Sequence, residues 1–168
     1  MFTRTNKLKV IFKEAHEDHA LDIGLTNDNV YIIRGHIFTL ICPAEIIDND
    51  VLAELVKLTG GLPSKGEAIS YVKNDEPQMT RVEFIEEDLN SEWEKAENVV
   101  TATRMIISSG SDIQVVYQTN KLEKIMVPAR LHNCIGLPRG DNEEMQPIHI
   151  TADGYLIAVS NEMQFRFD

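Results

Sequence analysis

The stretch from Pro147 to Phe167 reads PIHITADGYLIAVSNEMQFRF, and its periodicity decides the fold class. Ile148 and Ile150 alternate with His149 and Thr151, a two-residue period that puts both isoleucines on one face of a strand. Asp153-Gly154 suits the positive backbone angles of a tight hairpin turn. Tyr155 to Val159 is an almost unbroken apolar run, and Ser160-Asn161-Glu162 reads as the next turn. Met163, Phe165 and Phe167 then alternate with Gln164, Arg166 and Asp168. The pattern predicts a three-stranded antiparallel meander with one apolar face, which needs a helix or a second sheet to cover it.

Working back toward the N-terminus, Met1 to Asn6 is polar and expected to be disordered. Leu8, Val10 and Phe12 alternate with lysines and predict a short edge strand over Lys7–Lys13. Leu21–Leu25, Val30–Ile33 and His36–Cys42 read as further strands, with turn residues at Thr26-Asn27-Asp28-Asn29. A helix is expected from Asp48, an N-cap, with Val51, Leu55 and Leu58 as its apolar stripe and Gly60 as its left-handed stop. Ala68–Lys73 and Met79–Ile85 read as strands. Ser91 and Glu94 match a capping box, and Trp93, Ala96, Val100, Thr103 and Ile107 recur at helical spacing. That predicts a long second helix, the expected cover for the C-terminal meander. Strands Ile113–Gln118 and Leu122–Val127 follow, and Pro128–Gln146 has no regular pattern. The expected fold is a single α+β domain over residues 1–168, mostly antiparallel, with two main helices on the apolar face. No residue-level repeat marks an internal duplication.

Composition narrows the function. Sixteen basic against 27 acidic residues leave a net charge of −11, a field that repels a nucleic-acid backbone and suits a basic protein partner. The 43% hydrophobic content supports a real core. Cys42 and Cys134 both adjoin apolar residues, consistent with reduced thiols. No apolar run reaches the length of a membrane span, and residues 1–6 do not read as a signal segment, so the expectation is a cytoplasmic chain with no membrane contact.

The densest set of ligand-type side chains is His16-Glu17-Asp18-His19. Two imidazoles three apart, with Glu17 between them, are the basis of an alternative reading as a metal-dependent enzyme. The spacing falls one residue short of the helical zinc-protease pattern, and a polar connection accounts for it without metal. His132 and Cys134 are two apart on what could be one strand face, but no oxyanion or orienting residue is legible. Arg139-Gly140-Asp141 is a three-residue match to adhesion ligands and needs secretion to matter. No cofactor motif is present.

The strongest charge feature is Glu83, Glu86, Glu87, Asp88, Glu92, Glu94 and Glu97, beside the only tryptophan, Trp93. Acids in a first helical turn oppose the helix dipole, which explains only part of the run. Glu83, Glu86, Glu87, Asp88 and Trp93 are therefore the candidate partner-binding residues. The function expected is a non-catalytic, acidic, phage-like regulatory accessory protein that binds a basic protein and occludes its nucleic-acid site, without itself binding nucleic acid. Sheet edges offer a route to homo-oligomers.

Val127-Pro128-Ala129-Arg130-Leu131, then Leu137-Pro138, then Pro147-Ile148-His149-Ile150 and Asp153-Gly154-Tyr155-Leu156 are together similar to a stretch of the DNA sliding clamps. In that family a Val-Pro-Ala-Arg/Lys-Leu segment leads into a helix, a Leu-Pro ends it, and a hairpin follows. The resemblance covers about the last 40 residues. It implies a clamp-like accessory factor and assigns no functional residue. The chain departs from the pattern in two ways. Cys134-Ile135-Gly136 leaves little room for the helix. Clamps also line their inner surface with basic helices to pass over DNA, whereas the two helices read here are acidic or mixed.

Overall fold

The computed structural model describes residues 5–36, 38–45, 47–71, 76–95, 100–110, 112–119, 124–133, 148–150 and 156–159. Helix α1 (Thr5–Glu17) is followed by strands β1 (Leu21–Leu25), β2 (Val30–Arg34) and β3 (Phe38–Pro43), then by helix α2 (Asn49–Thr59) and strands β4 (Glu67–Tyr71) and β5 (Gln78–Arg81). Helix α3 (Val82–Lys95), strands β6 (Val100–Ser109), β7 (Asp112–Thr119) and β8 (Lys124–Pro128), the short helix α4 (Ala129–His132), and strands β9 (Ile148–Ile150) and β10 (Leu156–Val159) complete the order. Helix, three strands, helix, two strands thus occurs twice among the described residues, but the pairing differs: β4 joins β1 of its own half, whereas β10 joins β3 of the other. The fold is α+β.

Two corrections concern helices. Lys7–Lys13 lies in α1, not in an edge strand, and Thr5 and Asn6 belong to the same helix; residues 1–4 lie outside the described set. The reason is burial. Leu8, Ile11, Phe12 and Ala15 fall at helical spacing and are all buried, whereas Val10, which the strand reading needed inside, is 53% exposed. The second helix begins at Val82 rather than Ser91, so it absorbs most of the expected strand Met79–Ile85, and Val100–Ile107 lies in strand β6. Val100, Thr101, Thr103, Ile106 and Ile107 are β-branched and favour a strand. The helix α2 fits its reading: the Asp48 carboxylate accepts from the Asp50 amide, and Gly60 stands at φ 79 with its N–H on the Val56 carbonyl.

Strands β5-β4-β1-β2-β3-β10-β9 form one seven-stranded sheet, antiparallel except where β10 joins β3 in parallel. The β9–β10 pairing, Ile148↔Ala158 to Ile150↔Leu156, supplies two strands of the expected C-terminal meander. Its turn at Asp153-Gly154 and its third strand, Met163–Phe167, lie outside the described residues. Strands β6-β7-β8 form a second antiparallel sheet. Between Ala102 and Ile106 the register of β6 on β7 shifts, and the Thr103 hydroxyl spans the irregularity, donating to the Val116 carbonyl and accepting from the Met105 amide.

Helices α1 and α2 pack together on one face of the large sheet, through Leu8, Ile11, Phe12, Val51 and Leu55 against Leu21, Ile23, Ile33 and Leu40. Val115, Tyr117 and Val127 of the second sheet join the same core. Helix α3 sits on the opposite face of the large sheet, over β1 and β4, through Val82, Ile85 and Leu89. No helix among the described residues is long and apolar enough to cross a membrane.

Candidate functional site

Helix α3 is held by three buried side chains at helical spacing, Val82, Ile85 and Leu89. Its close approach depends on Gly24 of β1, where an added Cβ would lie 2.8 Å from Val82 Cγ2. With that stripe turned inward, Glu83, Phe84, Glu87 and Asp88 are exposed and Glu86 is half-buried. Glu83 stands in the first turn, where a negative charge complements the helix dipole. The Glu86 carboxyl is held above the usual carboxylate range, mainly by desolvation and then by the negative charges of Glu83 and Asp28.

Beneath this helix face runs a polar row across three strands. Register places Asp22 opposite both Arg34 and Ser70. Asp22 is nearly buried, and its Oδ2 accepts from Arg34 Nε at 3.1 Å and Nη2 at 2.9 Å, while its Oδ1 accepts from the Ser70 hydroxyl. Arg34 Nη1 also donates to Asp88 Oδ2 at 3.2 Å, tying the helix to the sheet. Asp22, Arg34, Ser70, Thr80, Phe84, Ile85 and Asp88 line a shallow cleft of about 200 Å³.

The candidate acids therefore share one helix, but not one role. Asp88 is an ion-pair partner of the sheet, and only Glu83, Glu86 and Glu87 form the outward acidic set. Glu86, Glu87 and Asp88 do not precede the helix, as expected from a start at Ser91; they occupy its second turn. Trp93 also lies on α3, its side chain outside the described set, and Glu97 is outside it altogether. The pair Asp22–Arg34 was not singled out from sequence. Its signal was present as a carboxylate inside the apolar run Leu21-Asp22-Ile23, since a buried charge demands a partner.

The histidine cluster is dispersed. The His16 ring packs on Tyr71, with centroids 4.9 Å apart, and Glu17 pairs with Lys13 at 3.8 Å. His19 follows the helix at φ 53, its N–H on the His16 carbonyl. Among the described residues no group of three or more histidine, cysteine, aspartate or glutamate side chains could hold a metal ion. His132 Nδ1 lies 2.7 Å from the hydroxyl of Tyr117, whose burial pushes its pKa up. Cys134 and Arg139-Gly140-Asp141 fall outside the described residues.

No family model matches the chain, and no curated protein or solved structure is significantly similar to it.

Proposed function

We propose that this chain works by binding another protein, with the outer face of α3 as the docking surface. The observation that carries this reading is Phe84. Its ring is 63% exposed on a helix whose other outward side chains are mostly acidic, and it borders the cleft above Arg34 and Asp22. An exposed aromatic ringed by like charges gives a partner an apolar anchor and sets the sign of what surrounds it. The partner that fits is basic. A basic surface covered in this way would lose its access to nucleic acid, which makes a regulatory accessory role the natural consequence.

The test uses partners captured from a native lysate by the wild type and then purified. Glu83→Lys/Glu86→Lys/Glu87→Lys and, separately, Phe84→Ala should each weaken binding at least tenfold, and the charge reversal should also remove the salt dependence of association. Asp88 is left intact because it holds Arg34. Unchanged affinity in both variants would overturn the reading.

A second reading, a sliding-clamp-like accessory factor, is supported by a separate set of observations. Helix α4 starts at Ala129 directly after Pro128, and the hairpin strands β9 and β10 follow, as the resemblance implies. The helical state of Thr5–Glu17 supports it as well, since it supplies a helix with Lys7, Lys9 and Lys13 against Glu14 and Glu17. A factor that slides without falling off must enclose the duplex. It should be retained on closed circular DNA and lost once that DNA is linearised; equal retention on both would sink it.

A further inference from the structure

We propose that the outer edge of β5 takes up an extended segment of the partner as an added strand, a proposal that rests on the α3 docking reading and specifies the form of what docks. Among the described residues β5 ends the seven-stranded sheet, and all four of its residues are exposed. Which backbone groups it offers follows from the ladder. The Val82 N–H donates to the Gly66 carbonyl at 3.1 Å, in step with the register Ala68↔Thr80 and Ser70↔Gln78. In an antiparallel pair the bonded positions alternate, so Thr80 and Gln78 exchange bonds with β4. Met79 and Arg81 then turn their N–H and C=O groups outward. The bond from the Thr26 amide to the Val30 carbonyl fixes the same alternation across β1 and β2.

Side chains define the partner. Met79 is 59% exposed although Ile69, its cross-strand neighbour, is buried, so an added strand carrying an apolar side chain would cover it. Thr80 faces the other way and lines the cleft with Phe84 and Ile85. Helix α3 grows out of β5 without a loop, bringing Glu83, Glu86 and Glu87 to that same face. The segment that fits is extended, with apolar side chains on alternate positions and lysine or arginine between them. Its main-chain bonds supply affinity and the alternation supplies specificity.

The probe is a labelled octapeptide of alternating valine and lysine, with two controls: valine alternating with glutamate, and the lysine peptide N-methylated at alternate residues. Binding should slow amide exchange at Met79 and Arg81. Met79→Pro should weaken it at least tenfold while leaving the melting curve in place, because proline is tolerated where an edge N–H faces solvent. N-methylation should weaken binding by a similar factor with the protein unaltered, which decides the matter should the proline variant fail to fold. No binding of the lysine peptide overturns the proposal. Binding that ignores both Met79→Pro and N-methylation, yet is lost with Glu83→Lys/Glu86→Lys/Glu87→Lys, overturns it and leaves the α3 surface standing. Protection of Met79 and Arg81 that rises with protein concentration alone would assign the edge to a second copy of this chain and also overturn it.

Discussion

Arg34 grips Asp22 through two nitrogens on one carboxylate oxygen, and it reaches Asp88 with the third. The two acids differ in surroundings: the Asp22 side chain is 12% exposed and that of Asp88 is 67% exposed. Desolvation, not distance, should set what each contributes. Asp22→Ala strands a half-buried guanidinium and the Ser70 hydroxyl, and should cost about 2–3 kcal/mol in urea unfolding. Asp88→Ala removes a solvated pair and should cost about 0.5 kcal/mol or less. Equal losses would mean that the helix, and not the sheet, anchors Arg34.

Gly24→Ala tests the seating of α3. The new methyl would meet Val82 Cγ2 at 2.8 Å, and Val82 is fixed between helix and sheet. Overpacking of this kind should destabilise the protein by about 1–3 kcal/mol, read from the denaturant midpoint. A change within ±0.5 kcal/mol would show that the helix start gives way freely.

Asp48→Ala should cost about 1 kcal/mol, because it removes the side-chain acceptor for the Asp50 amide at the start of α2. Asp48→Ser should recover most of the loss. Failure of serine to recover it would place the effect in something other than capping.

Glu86 predicts a pH dependence. Its folded pKa is raised, so its contribution is fully present below the ordinary unfolded value and is lost as pH rises through the folded one. Glu86→Gln should therefore be the more stable protein at neutral pH. The gain should be no more than about 0.5 kcal/mol for a half-exposed site and should vanish in acid. Urea midpoints of both proteins at neutral and acid pH check this. A gain that persists in acid would trace to packing instead of charge.

The parts of the fold legible in sequence are those where a local signal stood alone. Asp48 and Gly60 bracket α2 with chemistry that serves no other structure, and β1 to β3 alternate between turn residues. Misreadings arose where two periods coexist. Leu8, Val10 and Phe12 fit a strand while Leu8, Ile11, Phe12 and Ala15 fit a helix, and only packing on Leu21 and Ile23 chooses between them. In the same way Trp93 to Ile107 keeps helical spacing, but tertiary pairing with β7 holds Val100–Ser109 extended. The acidic set was legible as a run of charge beside Trp93, although Glu83 was read in a strand and the others ahead of the helix that carries them all. The cleft under it was not, since Asp22, Arg34 and Ser70 meet only through strand register.

The parallel seam between β3 and β10 joins Phe38 to Leu156, about 118 residues further along the chain. Strands β1 to β5 can assemble as soon as they leave the ribosome, but the open side of β3 must then wait until Leu156 to Val159 have been made. Throughout that interval Leu40 and Ile41 sit at an unprotected sheet border, the situation in which nascent chains pair with the wrong strand. The long closure also makes this seam a late and slow event, after the hairpins have formed. Misfolding during expression should therefore concentrate at β3, and chains cut short before Leu156 should aggregate where chains that include β10 do not.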